Sequence, residues 1–243
     1  MDANLLIALP VHGGNVKVQC AISLVALCST LVANDIRFEI RSTGSADIAK
    51  NRNFLASLAF AQSERTHLLF VDSDMDFRPE AVVRLLGLAK PVAGCVYPKR
   101  QSPAGIEDFV VDLSGHPKLE VLDGACRVTG IGMGLCLIQR TALAQLTDTK
   151  ALRCAPADPR RGETFHGLVY GFFDPMIGQH QYISEDFSFC RRWTSLCGGE
   201  VWALIDQDIG HIGETTYRGR LEDFFRSRKS EAQTLRQQQT SDP

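Results

Sequence analysis

The first hundred residues alternate between short apolar runs and longer amphipathic stretches, and this alternation limits the fold more than any other feature. The apolar runs have the length of buried strands, at residues 5–9, 36–41, 67–71 and 92–97. The stretches between them have helical spacing, at residues 16–32, 47–61 and 80–88. Strands that alternate with helices are typical of βαβ units. The sequence therefore predicts an α/β fold with a mostly parallel sheet, helices on both faces, and a ligand site where the parallel strands end.

The pattern changes after about residue 106. Short strand candidates, separated by Gly, Pro and Asp, occur at residues 109–113, 118–122, 127–128 and 135–138. They predict a smaller, antiparallel part built onto the same sheet. The Gly- and Pro-rich stretch 154–183 is predicted to be a long loop, and Ser184 to cap a helix over 185–196. The chain then reads as one domain over 1–216, followed by a basic helix and a polar, disordered tail over 217–243.

Composition narrows the classes of function. Lys plus Arg number 26 and Asp plus Glu number 28, a net charge of −2, which argues against a protein held to nucleic acid mainly by counterion release. We expect a cytoplasmic protein, because the sequence predicts neither a signal peptide nor a transmembrane segment. Eight cysteines without a CxxC pair favour buried, reduced thiols.

An acidic motif follows the third predicted strand. Asp72 and Asp74 would lie at the carboxyl end of that strand, where paired carboxylates suit Mg²⁺ or Mn²⁺. A polar turn that caps the next helix explains such a motif about equally well when it stands alone. An EF-hand loop is excluded, because Phe77 and Val83 occupy the positions that need Gly and Glu. A third acid, Asp76, has no role that the sequence assigns.

Weaker signals follow in the second half of the chain. Glu185 and Asp186 open a predicted helix, where the helix dipole alone favours acids by roughly 0.3–1 kcal/mol. His211 follows a predicted strand and is either a structural residue or a metal ligand. The glycines of residues 130–134 do not form a dinucleotide-binding loop, because Leu135 stands where the third Gly is needed and a strand follows.

The order of these motifs resembles the GT-A-fold, nucleotide-sugar-dependent glycosyltransferases, particularly the broad family-two-like group of bacteria and phages. The matching segments cover most of the chain: 5–14, 47–55, 67–86, 91–100, 130–143, 184–193, 198–206 and 211–213. The resemblance implies a metal-dependent enzyme that moves a sugar from a nucleoside diphosphate sugar to a hydroxyl acceptor. It also implies that residues 1–100 bind the nucleotide sugar and that 101–216 carry the acceptor and the catalytic groups.

The resemblance also implies roles for individual residues. It assigns Mn²⁺ or Mg²⁺ to Asp72, Asp74 and His211. It assigns Asp186 as the general base of an inverting reaction, with Glu185 as the competing candidate. The residues that it places around the nucleotide sugar are Pro10, Val11, Arg52, Asp72, Ser73, Lys99 and Arg100.

Several alternatives stay open at this point. The same aspartates could serve a haloacid-dehalogenase-like phosphatase or a nucleotidyltransferase, and the chain could be a binding module without catalysis. The acceptor could be a glycan, a lipid or a hydroxymethylated DNA base. The basic segment near the C-terminus is either a solvated face or a contact for a phosphate-rich acceptor. Its cationic residues are Arg218, Arg220, Arg226, Arg228 and Lys229.

Overall fold

A central sheet with helices on both faces organises the molecule. The computed structural model describes residues 3–101, 108–115, 119–157, 165–178 and 181–226. The strands are β1 (Asn4–Pro10), β2 (Arg37–Thr43), β3 (His67–Val71), β4 (Met75–Asp76), β5 (Val92–Cys95), β6 (Val111–Asp112), β7 (Ala125–Val128), β8 (Gly130–Ile131), β9 (Leu135–Gln139), β10 (Cys154–Pro156), β11 (Leu168–Tyr170), β12 (Met176–Ile177), β13 (Tyr182–Ile183), β14 (Val201–Leu204), β15 (Ile209–Ile212) and β16 (Thr216–Gly219). The helices are α1 (Val18–Ala33), α2 (Ile48–Ala61), α3 (Pro79–Gly87), α4 (Arg140–Asp148) and α5 (Glu185–Cys197).

The central sheet has seven strands in the order β2-β1-β3-β9-β5-β14-β7. Strands β1, β2 and β3 pair in parallel, as do β5 and β14, whereas β9 and β7 pair antiparallel with their neighbours. Five of the seven strands therefore run in one direction, which confirms the predicted mostly parallel sheet. The antiparallel strand β9 lies between β3 and β5, so a strand from the middle of the chain occupies the centre of the sheet.

Helices cover both faces because the inner strands are apolar on both sides. Leu5 and Ile7 of β1 pack on one side with α1 and α3, while Leu6 and Ala8 pack on the other with α2, α4 and α5. Successive side chains of a strand point to opposite faces, so one apolar run supplies both cores. This arrangement confirms the predicted helices on both faces.

Local signals place the helix starts close to the predicted positions. Asp47 caps α2, where its carboxylate accepts a hydrogen bond from the Lys50 amide at 3.2 Å. Pro79 is the first residue of α3, where a missing amide hydrogen costs nothing. Gly198 ends α5 in the left-handed conformation, with φ 63°.

Two expectations about short strands need correction. The stretch predicted as a long loop contains two short antiparallel pairs, β10 with β11 and β12 with β13, although 158–164 and 179–180 lie outside the described residues. The strand predicted over 118–122 does not form in its described part, where an isolated bridge joins Leu122 to Ala125. Both errors concern very short strands, whose formation depends more on side-chain packing and burial than on local propensity.

The boundary predicted between residues 216 and 217 falls inside a strand. Strand β16 pairs with β15, and β15 pairs with β4 next to the acidic motif. Residues 221–226 are helical, and Leu221 is buried in the core. The predicted polar tail from 227 onward lies outside the described residues. Nowhere in the described ranges is there a helix both long and apolar enough to cross a lipid bilayer.

Candidate active site

The acidic turn lies at the carboxyl edge of the central sheet. Asp72 directly follows β3, and its amide donates to the Gly134 carbonyl at 2.9 Å. On the other side, the Lys17 amide donates to the Ser73 carbonyl at 2.9 Å. The turn is therefore held between the start of α1 and the strand β9, as the position at a parallel sheet edge predicts.

The glycine before β9 is required by close packing against this turn. A Cβ atom on Gly134 would lie 2.8 Å from both the Met75 sulfur and the Tyr97 hydroxyl oxygen. The Gly134 amide also donates to the Tyr97 hydroxyl at 3.1 Å. These contacts give Gly134 a packing role.

The structure brings Asp74 and His211 together. Pairing of β15 with β4 sets His211 opposite Met75, and the His211 Nε2 atom lies 3.5 Å from Asp74 Oδ2. The exposed Arg100 guanidinium contacts the same carboxylate oxygen. Burial by itself raises the pKa of Asp74, but its contacts with His211 and Arg100 outweigh burial and lower that pKa, so Asp74 is ionised at neutral pH.

The tautomer of His211 makes this pair suitable for a cation. The His211 Nδ1 atom lies 2.9 Å from the Pro98 carbonyl oxygen, which can only accept, so Nδ1 carries the hydrogen. Nε2 can then donate to Asp74 Oδ2 when the ring is protonated, and it can ligate a cation through its lone pair when the ring is neutral. A backbone carbonyl that fixes the outer nitrogen is the usual support of a metal-binding histidine. Asp74 and His211 therefore fit as two protein ligands of one divalent ion.

Asp72, the third predicted metal ligand, contacts a different partner. Its Oδ2 accepts from the Arg52 guanidinium at 2.9 Å. Within the described ranges, no three His, Cys, Asp or Glu side chains lie close enough to hold a metal ion. An ion held there would have two protein ligands, Asp74 and His211, and would complete its shell with substrate phosphates and water.

Arg52 joins the two acidic motifs. It is 3% exposed, and its Nε donates to Glu185 Oε1 at 3.2 Å while Nη2 donates to Asp72. Its guanidinium also lies over the Phe70 ring at 5.2 Å. Burial would lower the pKa of Arg52, but the charges of Asp72 and Glu185 raise it. The resemblance implies that Arg52 contacts a diphosphate. The structure adds that Arg52 holds Asp72 and Glu185 together.

Replacing Arg52 with alanine is expected to lower the free energy of unfolding by about 3 kcal/mol or more, because two partly buried carboxylates would lose their shared cation. Urea unfolding followed by circular dichroism measures the change. Arg41→Ala is the matched control, since the Arg41 side chain is 50% exposed and its pair with Glu39 should contribute less than about 1 kcal/mol. Equal losses in the two variants would contradict the assignment.

Asp186 lies at the start of α5 and is set up differently from Glu185. Its Oδ1 accepts from the Phe187 amide at 2.8 Å and from the Ser184 hydroxyl. Ser184 holds the predicted cap position, but its hydroxyl bonds Asp186 rather than a backbone amide. Burial and then the neighbouring Glu185 charge raise the pKa of Asp186. Glu185 is instead bound to Arg52, so Asp186 is the better proton acceptor.

A cleft of about 870 Å³ opens beside Asp74. This volume is within the usual range for small-molecule sites. Of the residues predicted to bind the nucleotide sugar, Ser73 and Arg100 line the cleft. Pro10 and Val11 are buried and directly precede His12, which also lines it. The residues that line it are His12, Asn15, Val16, Lys17, Ser73, Asp74, Arg100, Ile212, Gly213, Glu214 and Tyr217. Lys99 is exposed and does not line the cleft, although it directly precedes Arg100.

A second groove, of about 750 Å³, lies beside the Glu185–Asp186 motif at the start of α5. Ser184 and Phe187, the two residues that bond Asp186, form part of its wall. Ile183 and the exposed Tyr182 also line it, and the other lining residues are polar. Those polar residues are Asp112, Ser114, Thr129, Gln181, Arg191, Thr194 and Ser195. The groove therefore opens beside the start of α5.

The structure also places residues that the sequence left without a role. Asp76 pairs with Arg218 and accepts from the Ser23 hydroxyl at 3.3 Å, so it fixes β4 rather than joining Asp74. Tyr97 is buried against the His211 ring, with centroids 5.3 Å apart, and burial raises its pKa. Its position at the end of a predicted strand, two residues before Lys99, was a usable signal.

This chain is similar to known proteins in structure, but no match was found by sequence. No protein-family model matches the chain, and no curated protein matches it. The crystal structure of A197 from STIV aligns with 90% of this chain and 91% of its own, at 17% identity and a TM-score of 0.51. The crystal structure of GalNAc-T7 with UDP, GalNAc and Mn²⁺ aligns with 87% of this chain, at 9% identity and a TM-score of 0.51. This chain spans 44% of the length of GalNAc-T7.

These similarities, together with the sheet order, establish the fold. The chain has the GT-A fold, with a mostly parallel central sheet, helices on both faces and smaller antiparallel sheets. The fold implied by the sequence resemblance is thereby confirmed. At 9–17% identity the comparison carries the fold and nothing about the reaction.

Proposed function

We propose that this protein is a metal-dependent glycosyltransferase that moves a sugar from a nucleoside diphosphate sugar to a hydroxyl group. The observation that carries the proposal is the Asp74–His211 pair, 3.5 Å apart, with Asp74 on the wall of a cleft that Lys17 and Arg100 also line. A nucleoside diphosphate needs both a divalent ion and cationic side chains for its negative charges. GalNAc-T7, which shares the fold, was crystallised with UDP and Mn²⁺.

Asp74 and His211 would hold Mn²⁺ or Mg²⁺, which stabilises the negative charge of the leaving diphosphate as a Lewis acid. Arg100 contacts Asp74 through an exposed side chain, so it can turn toward the phosphates when the ion is bound. Asp72 stays with Arg52 and is assigned to the donor sugar. Ser73, between the two acids, reaches the same cleft.

The chemical step assigned to Asp186 is proton removal from the acceptor. The acceptor oxygen forms a bond to the anomeric carbon as the bond from that carbon to the diphosphate oxygen breaks. The hydroxyl proton passes to Asp186, and the nucleoside diphosphate leaves with the electron pair. Attack opposite the leaving group inverts the anomeric configuration. General-base assistance of this kind contributes about 10²–10⁴-fold.

The groove beside Asp186 is the proposed entrance of the acceptor. Its wall combines hydroxyl and carboxamide groups with the apolar surfaces of Tyr182, Ile183 and Phe187, and Arg191 and Asp112 carry opposite charges. This lining favours a glycan over a lipid phosphate or DNA. The described part of the basic segment supports that choice, since Arg218 pairs with Asp76 and Arg226 with Glu222.

A phosphatase with an aspartate nucleophile is the second candidate, and Asp72 would be its nucleophile. The ion pair with Arg52 and one buried oxygen, Oδ1, count against an attacking role for Asp72. Release of phosphate from simple esters, lost on Asp72→Asn, would favour the phosphatase.

Thermal unfolding in the presence of nucleotide sugars tests the proposal. We expect a matching donor, tried first among UDP-sugars, to raise the melting temperature only when Mn²⁺ is also present. At a donor concentration of 100 times Kd the gain is about 2.7 kcal/mol, or roughly 5–10 °C for a chain of this size. A positive donor is then assayed for sugar transfer. Stabilisation by donor that is equal with Mn²⁺ and with EDTA would overturn the metal-dependent site.

A further inference from the structure

A third pocket, of about 530 Å³, lies beside the second half of α5. The charged side chains in its lining are those of Arg153, Asp174 and Arg192. Ser195 lines both this pocket and the groove beside Asp186, so the two depressions are neighbours on the surface. The rest of the lining is formed by Ala151, Leu152, Gly171, Pro175, Met176, Ile177 and Leu196. A ligand here would meet two arginines among mostly apolar side chains.

Arg192 lacks a counter-charge. It is half-buried, and its Nη1 donates to the Phe172 carbonyl at 3.3 Å. Across the ranges that the structure describes, its Nε and Nη2 have no hydrogen-bond partner and it forms no salt bridge. Burial lowers the pKa of Arg192, the charge of Asp174 opposes this change, and the charge of Arg153 adds to it. The carbonyl thus orients the guanidinium and leaves the Nε and Nη2 donors for a ligand.

Other shielded arginines of the described chain are compensated. Arg65 and Arg84 each pair with a carboxylate. Arg140 donates from Nε to the Phe60 carbonyl at 2.9 Å and lies over the ring of the same residue at 5.3 Å. A shielded guanidinium with neither kind of partner costs free energy, which an anionic ligand would recover. Arg192 therefore differs from these arginines in the way that a ligand-binding arginine would.

Asp174, the acid in this lining, does not supply the missing charge. Its Oδ1 accepts from the Asn53 carboxamide at 2.7 Å, and it forms no salt bridge within the described residues. Arg153 is exposed, and its backbone carbonyl accepts from the Gly171 amide at 2.8 Å, which holds this residue beside the pocket. With two cations and one anion, the lining has a net charge of +1.

On the basis of the function proposed above, we propose that Arg153 and Arg192 bind an acidic group of the acceptor, which makes the acceptor a glycan with carboxylate or phosphate groups. The fork of an arginine matches the oxygens of either group bidentately. Ile177 and Leu196, 86% and 44% exposed, offer apolar surface to the C–H face of a sugar ring. Because Ser195 joins this pocket to the proposed acceptor groove, one oligosaccharide can occupy both.

Modification of arginines by phenylglyoxal tests the site without any transfer activity. Peptide mapping gives the rate at each arginine in sodium phosphate and in sodium chloride of equal ionic strength. Arg153 should react at least about threefold more slowly once phosphate exceeds about twice its Kd, because only about one third of the sites are then free. Arg127, 54% exposed and paired with Glu200, is the control within the same sample and should be unaffected. An Arg153 rate that is independent of phosphate over the whole titration would overturn the site.

Charge-matched variants show whether the two arginines act together. Arg192→Gln should abolish the protection of Arg153 by phosphate, whereas Arg127→Gln removes the same charge elsewhere and should keep it. Equal protection in both variants would assign the anion to Arg153 alone and overturn the paired site. Protection in the unchanged protein is measured independently of how well these variants fold.

Acceptor kinetics separate an acidic glycan from free phosphate. For an acceptor oligosaccharide that carries carboxylates, such as an oligogalacturonate, Arg192→Gln should raise the acceptor KM about tenfold or more and leave kcat nearly unchanged. The methyl-esterified form of the same oligosaccharide lacks the charge and should show equal KM values for the variant and the unchanged protein. Protection by phosphate without this difference in KM would indicate a site for free phosphate and overturn the acceptor assignment. Absence of transfer to any glycan would overturn the proposed function and the assignment with it, whereas absence of protection overturns the site alone.

Discussion

Replacing Asp74 with alanine is expected to lower sugar transfer about 10³-fold or more. A divalent ion stabilises the leaving diphosphate by several kcal/mol, and about 4 kcal/mol corresponds to a factor of 10³. Asp74 is the acid that faces His211 across 3.5 Å, so its loss leaves the ion with one protein ligand. Turnover of the nucleotide sugar at saturating Mn²⁺ gives the measurement, and the thermal shift from donor plus Mn²⁺ should disappear in parallel.

The neighbouring acid provides the control for this prediction. Asp76 has the same side chain two residues further on, yet it contacts Arg218 and Ser23. We expect Asp76→Asn to keep most of the metal-dependent activity and to lose thermal stability instead. Activity of Asp74→Ala within tenfold of the unchanged protein would remove Asp74 from the metal site.

Much of the fold could be predicted from local pattern. The strand over 67–71 and the helix start at Pro79 agree with the structure because a buried apolar run and a Pro-Glu start are local signals. The place of β9 could not be predicted in the same way. Its pairing with β3 and β5 depends on side chains far apart in sequence, although four successive buried residues over 135–138 are typical of an inner strand.

The same distinction between local pattern and long-range pairing applies to the candidate site. The acids at 72, 74 and 186 could be predicted as site residues from the sequence, because each lies next to a predictable strand or helix end. Their partners could not be predicted in this way. Arg52 reaches Glu185 across 133 positions, and Asp76 pairs with Arg218 across 142. Such pairs form only when the whole sheet is packed. No local pattern therefore distinguishes Asp186, whose Oδ1 accepts bonds from Ser184 and Phe187, from Glu185, which pairs with Arg52.

Replacing Asp186 with asparagine is expected to lower kcat by about 10²–10⁴-fold and to leave donor binding nearly unchanged. The carboxamide keeps the shape and the bond from the Phe187 amide but cannot take the acceptor proton. Glu185→Gln is the matched control. Because Glu185 serves Arg52, we expect that variant to lose stability and less than about tenfold in kcat. The reverse ranking of the two variants in kcat would assign the base to Glu185.

The pH profile gives an independent measure of the same role. Burial and the Glu185 charge raise the pKa of Asp186 above that of an ordinary carboxyl group, whereas the pKa of Asp74 is lowered. The base works only when ionised, so activity should be full above the raised pKa of Asp186 and fall as the pH drops through it, before Asp74 is protonated. The acid limb of kcat should therefore be present in the unchanged protein and absent from the residual activity of Asp186→Asn. An acid limb that persists unchanged in this variant belongs to another group and would leave Asp186 without the role of base.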